Sequence, residues 1–224
     1  MNFFSHFLIG GDYGNPDKTL GKLWPDFLRI IDKSLRLSHK HVDPMPEALT
    51  NLQSGIALHV ATDRYFHASA WFHEHEVVLK QVWDELRLPG RHQYRYFFTH
   101  VLLEMLLDRV MIRRKPELLG QLYESLSRVD RATLTAFFRY KGGEKFEPQS
   151  WQFLQRFVES AYLYEYTDNS RLLFALDRVA HRVGLQLFAE PYKSRLMHRI
   201  DDMEQTIAKH ADAIFEAIEN HLVT

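Results

Sequence analysis

The chain has 224 residues, 46% hydrophobic and 13% aromatic, which is enough apolar material for a buried core and too much for an intrinsically disordered chain. Lys and Arg number 28 against 29 Asp and Glu, a formal net charge of -1, which excludes nucleic-acid binding driven by bulk charge. Cysteine is absent, so disulfides, iron–sulfur clusters and thiolate zinc sites are excluded, and any metal must be held by imidazole and carboxylate.

The segment Met1 to Gly11 is apolar but lacks the basic start of a signal peptide. No stretch reaches the roughly 18 uninterrupted apolar residues of a membrane span. These absences read as a soluble, cytoplasmic protein. Pro16 and Asp17 open a helical segment through Phe27 and Ile31, with Pro25 expected to kink it or to start a new helix. Ser38 to Pro46 reads as a loop. A helix follows from Pro46 to about Phe66, and Ser69 is placed to cap the next one, which carries Trp71, Val78 and Trp83. Leu88-Pro89-Gly90 is a breaker. The pattern then predicts a helix from Arg91 to about Arg114 and another opening at Pro116. Lys141-Gly142-Gly143 ends the helix holding Phe137 and Phe138. Pro148 to Tyr166 reads as one helix, Asp168 caps another that ends near Gly184, and a final amphipathic helix covers Lys193 to His221. Helical periodicity dominates and no run alternates as a strand would. The expectation is a single all-α domain over residues 1–224, a bundle of about eight or nine helices with no linker or internal repeat.

Two triplets of metal-ligand residues stand out on this framework. His59, Asp63 and His67 are spaced by four, as are His100, Glu104 and Asp108. Residues at i and i+4 stack on one helix face. Their neighbours, Gly55-Ile56-Ala57-Leu58 and Val101-Leu102-Leu103, are apolar, so these charged groups are expected in a core, where they are costly unless paired or bound to a metal. Two such stripes predict one metal centre between two helices. Three members drift by about 80° around a 3.6-residue helix, so the pairs His59/Asp63 and His100/Glu104 are the firmest choices. The competing reading is structural: His and carboxylate at i, i+4 also form hydrogen-bonded pairs. For Asp108 that reading is a pairing with Arg113 or a solvated edge. His73-Glu74-His75-Glu76 reads as a solvated face, because adjacent residues point in different directions. Arg113-Arg114-Lys115 complements the C-terminal end of its helix dipole.

The opening Met1-Asn2-Phe3-Phe4-Ser5-His6, then Gly21-Lys22-Leu23-Trp24-Pro25-Asp26-Phe27, then Gly55-Ile56-Ala57-Leu58-His59 with Asp63, resemble the bacterial acyl-carrier-protein phosphodiesterases. Phe98-Thr99-His100-Val101-Leu102 and Tyr162-Leu163 with Tyr166 and Asp168 continue the ordered match to about Gly184. Those are all-α proteins described as divergent relatives of the His-Asp metal-dependent phosphohydrolases. The resemblance implies release of 4′-phosphopantetheine from acyl carrier protein by phosphodiester hydrolysis, with Mn as the usual metal and acyl carrier protein as partner. It places His6, Asp26, His59, Asp63 and His100 on the family's polar positions. Three departures accompany it. Val60 stands where the family has Arg, His67 where it has Asp, and Thr99 where an Asp precedes the later His. Glu104 and Asp108 are additions, and with His67 they could complete a second metal position or hydrogen-bond the ligands of the first and orient them.

Phosphodiester hydrolysis needs a nucleophilic water and neutralised phosphoryl charge, both of which a divalent metal supplies. Imidazole and carboxylate donors suit Mn, with Fe, Mg and Zn as alternatives. The candidate ligands are His6, Asp26, His59, Asp63, His67, His100, Glu104 and Asp108, with Asp26, His59 and Asp63 as the catalytic set. His6 reads equally as a ligand delivered from outside the helical pair or as a core histidine bonded to a backbone carbonyl. Two other functions stay open: a His-Asp type phosphohydrolase acting on a nucleotide or another small phosphoester, and a non-catalytic module that binds acyl carrier protein or another partner.

Overall fold

The computed structural model describes residues 1–35, 37, 45–86, 92–182 and 192–223. Among them are eleven α-helices, four short 3-10 helices and no strand, so the chain is all-α, as its periodicity requires. Most of the Ser38–Pro46 loop, the Leu88-Pro89-Gly90 breaker and the helix end near Gly184 lie outside the described residues. The helices form two compact units, one of Phe3–Arg64 with Lys115–Tyr162, the other of Met1–Asn2, Tyr65–Arg114 and Leu163–Thr224.

The first unit contains α1 (Phe3–Leu8), α2 (Pro16–Ile31), most of α3 (Thr50–Ala68), α6 (Pro116–Ser127), α7 (Arg131–Lys141) and α8 (Glu147–Ser160). The Asn15 side chain caps α2 by accepting from the Lys18 N–H at 3.0 Å, with Pro16 in the first turn, where its missing N–H costs nothing. Pro25 does not break α2, which runs through it. Its neighbours are anchored on both sides: Trp24 packs edge-on to Phe137 at 5.6 Å, and Phe27 lies 4.8 Å from Phe157. Burying each such ring contributes about 1.5–3 kcal/mol, enough to outweigh one lost helical hydrogen bond. α8 ends at Ser160 rather than at Tyr166, because Ala161 takes a left-handed conformation (φ 45°) and the chain continues as a 3-10 turn over Tyr162–Thr167.

α2 and α3 approach closely at two glycines. A Cβ on Gly21 would lie 2.9 Å from the Gly55 Cα, and one on Gly55 would lie 2.8 Å from the Gly21 Cα and 2.8 Å from the Lys22 nitrogen. Only a residue without a side chain permits that spacing.

The second unit holds the end of α3, α4 (Ala70–Glu85), α5 (His92–Arg114), α9 (Asn169–Arg182), α10 (Tyr192–Ala208) and α11 (Ala211–Val223). Ser69 caps α4 as its sequence position predicts, its hydroxyl accepting from Phe72 N–H at 3.1 Å. Asp168 caps α9 through the Arg171 N–H at 2.9 Å. The helix expected over Lys193–His221 is two helices, α10 and α11, separated at Lys209–His210. α5 is flanked by α4 and α10; its Leu103, Leu106 and Leu107 are fully buried. Arg109, also buried, lies 2.8 Å from Glu204 and 3.0 Å from Asp201. Arg113 donates twice to Glu204, at 2.8 and 2.9 Å, and to the Thr167 carbonyl. Arg114 bonds Asp212 and the Ala208 carbonyl. The basic end of α5, though exposed, therefore also ties helices together. The His73–Glu76 run corrects its expected role in half its members: His73 and Glu74 are exposed, but His75 and Glu76 are buried. His75 donates from Nδ1 to the Trp71 carbonyl at 2.7 Å, and Glu76 pairs with Lys80 at 2.7 Å. No helix among the described residues is long and apolar enough to cross a membrane.

Candidate metal centres

Six of the eight candidate ligands fall into two groupings. His6, His59 and Asp63 bring one ligand atom each within 4.8 Å of one another, and so do His67, His100 and Glu104. The first grouping belongs wholly to the first unit and the second wholly to the second. His67 is thus separated from the two residues that precede it on its stripe and joins the α5 pair. The angular drift along α3 explains the change of company. Asp26, half-buried on α2, and Asp108, fully buried on α5, are in neither grouping. Asp108 is not at a solvated edge.

In the first grouping, α3 delivers His59 and Asp63 and α1 delivers His6. His59 is buried, and its Nδ1 lies 2.7 Å from the Lys22 carbonyl. A carbonyl can only accept, so Nδ1 carries a proton, and the ring's metal-binding lone pair is the one on Nε2. That is the arrangement by which an outer hydrogen bond orients a metal-binding imidazole. The Gly21–Gly55 crossing brings the Lys22 carbonyl this close, since Lys22 follows one glycine and His59 lies one turn beyond the other.

The Lys22 side chain does a second job. It is fully buried, and its ammonium donates to the Phe7 carbonyl at 3.0 Å and the Gly11 carbonyl at 2.7 Å. The rings of Phe7 and Tyr13 lie 5.7 and 5.6 Å from the nitrogen, close enough for cation–π attraction. One residue therefore fixes α1 with its side chain and His59 with its main chain. Sequence reasoning assigned Lys22 no role. The available signal was a lone cation within Leu20-Gly21-Lys22-Leu23-Trp24.

His6 is 2% exposed and stacks on His59 with ring centroids 3.8 Å apart. Its Nε2 is 3.5 Å from Asp63 Oδ1, too long for a well-formed hydrogen bond, and neither of its ring nitrogens has a hydrogen-bond partner. Burial, and next the neighbouring His59, push its pKa down to about 3, against the opposing pull of Asp63. His6 is therefore a neutral, buried imidazole with unused lone-pair capacity, the state a metal ligand needs. Buried polar atoms without partners are rare and call for an explanation; a cation is one that fits this donor set.

In the second grouping, His67 Nε2, His100 Nε2 and Glu104 Oε1 are mutually 3.1 Å apart. The imidazoles are stacked at 4.8 Å, and the Phe72 ring stands edge-on to both at 5.0 Å. The Met1 amino group is 3.2 Å from Glu104 Oε1. Burial pushes the Glu104 carboxyl up, but the Met1 ammonium and the hydrogen bonds to His100 and His67 hold it well below the usual range.

Neither the curated proteins nor the solved structures provide a match. A family model described as acyl carrier protein phosphodiesterase matches residues 1–218, nearly the whole chain. On that match the chain belongs to the acyl carrier protein phosphodiesterase family.

Proposed function

We propose that the protein is a metal-dependent phosphodiester hydrolase that releases 4′-phosphopantetheine from holo-acyl carrier protein, with His6, His59 and Asp63 holding the metal. The observation that carries this reading is the buried His6, whose two ring nitrogens lack partners beside an oriented His59 and the Asp63 carboxylate. A divalent cation of the Mn class supplies charge neutralisation at the phosphoryl oxygens and lowers the pKa of water toward about 7. The chain's own residues do the rest. Lys22 fixes the His59 tautomer and the position of α1, so the ligands are arranged before any cation arrives. Asp63, with its side chain 25% exposed, is the member of the group that reaches solvent, the side from which the attacking water enters and to which it gives up its proton. As the water oxygen bonds to phosphorus, the P–O bond to the carrier's serine breaks and the serine oxygen leaves as its hydroxyl, taking up a proton from solvent. Burial of His6 and His59 keeps bulk water from the inner side of the group and strengthens its electrostatics.

The test is incubation of the metal-supplemented protein with holo-acyl carrier protein, read by intact mass. The carrier is expected to lose the phosphopantetheine mass with Mn and to keep it with chelator. His59→Ala and Asp63→Asn, checked for retained helicity, should abolish the change. A carrier of unchanged mass with fully metal-loaded protein rules the reaction out.

A further inference from the structure

The contacts within His67, His100 and Glu104 cannot all be favourable in a cation-free protein. The two Nε2 atoms and Glu104 Oε1 form a triangle with every edge at 3.1 Å. If both nitrogens carry protons, two N–H donors crowd each other across one edge. If either lacks its proton, its lone pair faces the carboxylate oxygen. In addition, His100 Nδ1 is buried without a hydrogen-bond partner, so no contact at the far side of that ring selects its tautomer. A cation at the centre turns all three contacts into attraction.

The dimensions also select the cation. Three donors about 3.1 Å apart subtend angles near 90° at a centre with bonds of about 2.1–2.2 Å, the facial corner of an octahedron rather than the wider spread of a tetrahedron. Two imidazoles and one carboxylate in that array leave three adjacent positions open, the pattern of ions such as Mn(II) and Fe(II). Mg(II) prefers oxygen and keeps its waters. The surroundings are built for it: Phe72 packs edge-on to both rings, and Phe66 lies 5.3 Å from His67. Tyr96, 51% exposed, sits 5.9 Å from His100 on the side open to solvent.

We infer that His67, His100 and Glu104 form a second, facial two-histidine, one-carboxylate site for a divalent transition-metal ion, sharing no residue with the His6/His59/Asp63 grouping. The site needs no assumption about the reaction.

Chelator-stripped full-length protein titrated with Mn(II), with free ion followed by electron paramagnetic resonance, is expected to bind two equivalents. Glu104→Gln and His67→Gln should each bind one, Asp63→Asn should bind one, and Glu104→Gln combined with Asp63→Asn none, with helicity checked by circular dichroism. Excess Mg(II) should not displace the ion that Glu104→Gln removes. Wild-type stoichiometry in folded Glu104→Gln or His67→Gln overturns the inference. Loss of that equivalent alone, with Asp63→Asn unchanged, sustains this site while refuting the first. If Glu104→Gln does not fold, His67→Gln decides.

Discussion

Replacing Gly55 with alanine should damage stability and metal binding together, because both depend on the crossing of α2 and α3. In a helix interior the exchange alone favours folding by about 1 kcal/mol. Here the new methyl would stand 2.8 Å from the Gly21 Cα and 2.8 Å from the Lys22 nitrogen, where ordinary contact needs about 3.5–4.0 Å. Both obstacles are backbone, so relief requires the helices to separate by roughly 1 Å, and overpacking of this kind costs about 1–3 kcal/mol. The same movement stretches the 2.7 Å bond from His59 Nδ1 to the Lys22 carbonyl past hydrogen-bonding range. Losing such an outer bond lowers metal affinity about 10–100-fold. Urea unfolding and Mn(II) titration of Gly55→Ala are the assays. Gly14→Ala is the control, since nothing lies within 4 Å of a Cβ there. If Gly55→Ala matches wild type in both measurements, the crossing does not position His59 and the reasoning is wrong.

Lys22→Met should cost about 2–4 kcal/mol in urea unfolding, since it leaves the Phe7 and Gly11 carbonyls without their donor in a buried setting; a variant as stable as wild type contradicts the assigned role. His6 links stability to pH. Its folded pKa of about 3 lies below the 6.5 of an ordinary imidazole, so its contribution is complete above about pH 6.5 and is lost as pH falls toward 3, by up to about 1.4 kcal/mol per pH unit. Between pH 7 and 4.5, chelator-treated wild type should therefore lose about 2–3 kcal/mol more than His6→Leu, and parallel curves would refute a buried neutral His6. Arg109→Ala should destabilise by about 3 kcal/mol, because it strips a buried cation from Glu204 and Asp201. Adding Glu204→Gln should cost less than the two single changes together, whereas strict additivity would deny the coupling.

What the sequence disclosed depended on whether a signal lay within one helix. His100 and Glu104 share a face of α5, and their spacing announces it. The caps at Ser69 and Asp168 are equally local. The grouping of ligands is not local. His67 is in register with His59 and Asp63, yet which neighbour it meets is decided by helix packing. His6 comes from a six-residue helix whose approach to α3 leaves no trace in spacing. The Gly21–Gly55 crossing was invisible for a related reason: a lone glycine in a helix reads as a tolerated weakness, and only the partner across the gap turns it into a requirement. The break between α10 and α11 was hidden by apolar periodicity on both sides of it.

The burial of Lys22 gives the molecule its own reporter of opening. An ammonium held by two carbonyls and shielded by Phe7 and Tyr13 is closed to amine-directed reagents, whereas Lys18, one turn earlier on α2, keeps a side chain 22% exposed. Mild reductive methylation should therefore mark Lys18 and spare Lys22. The first label to appear at Lys22 would time the release of α1, and with it the departure of His6 from its place beside His59.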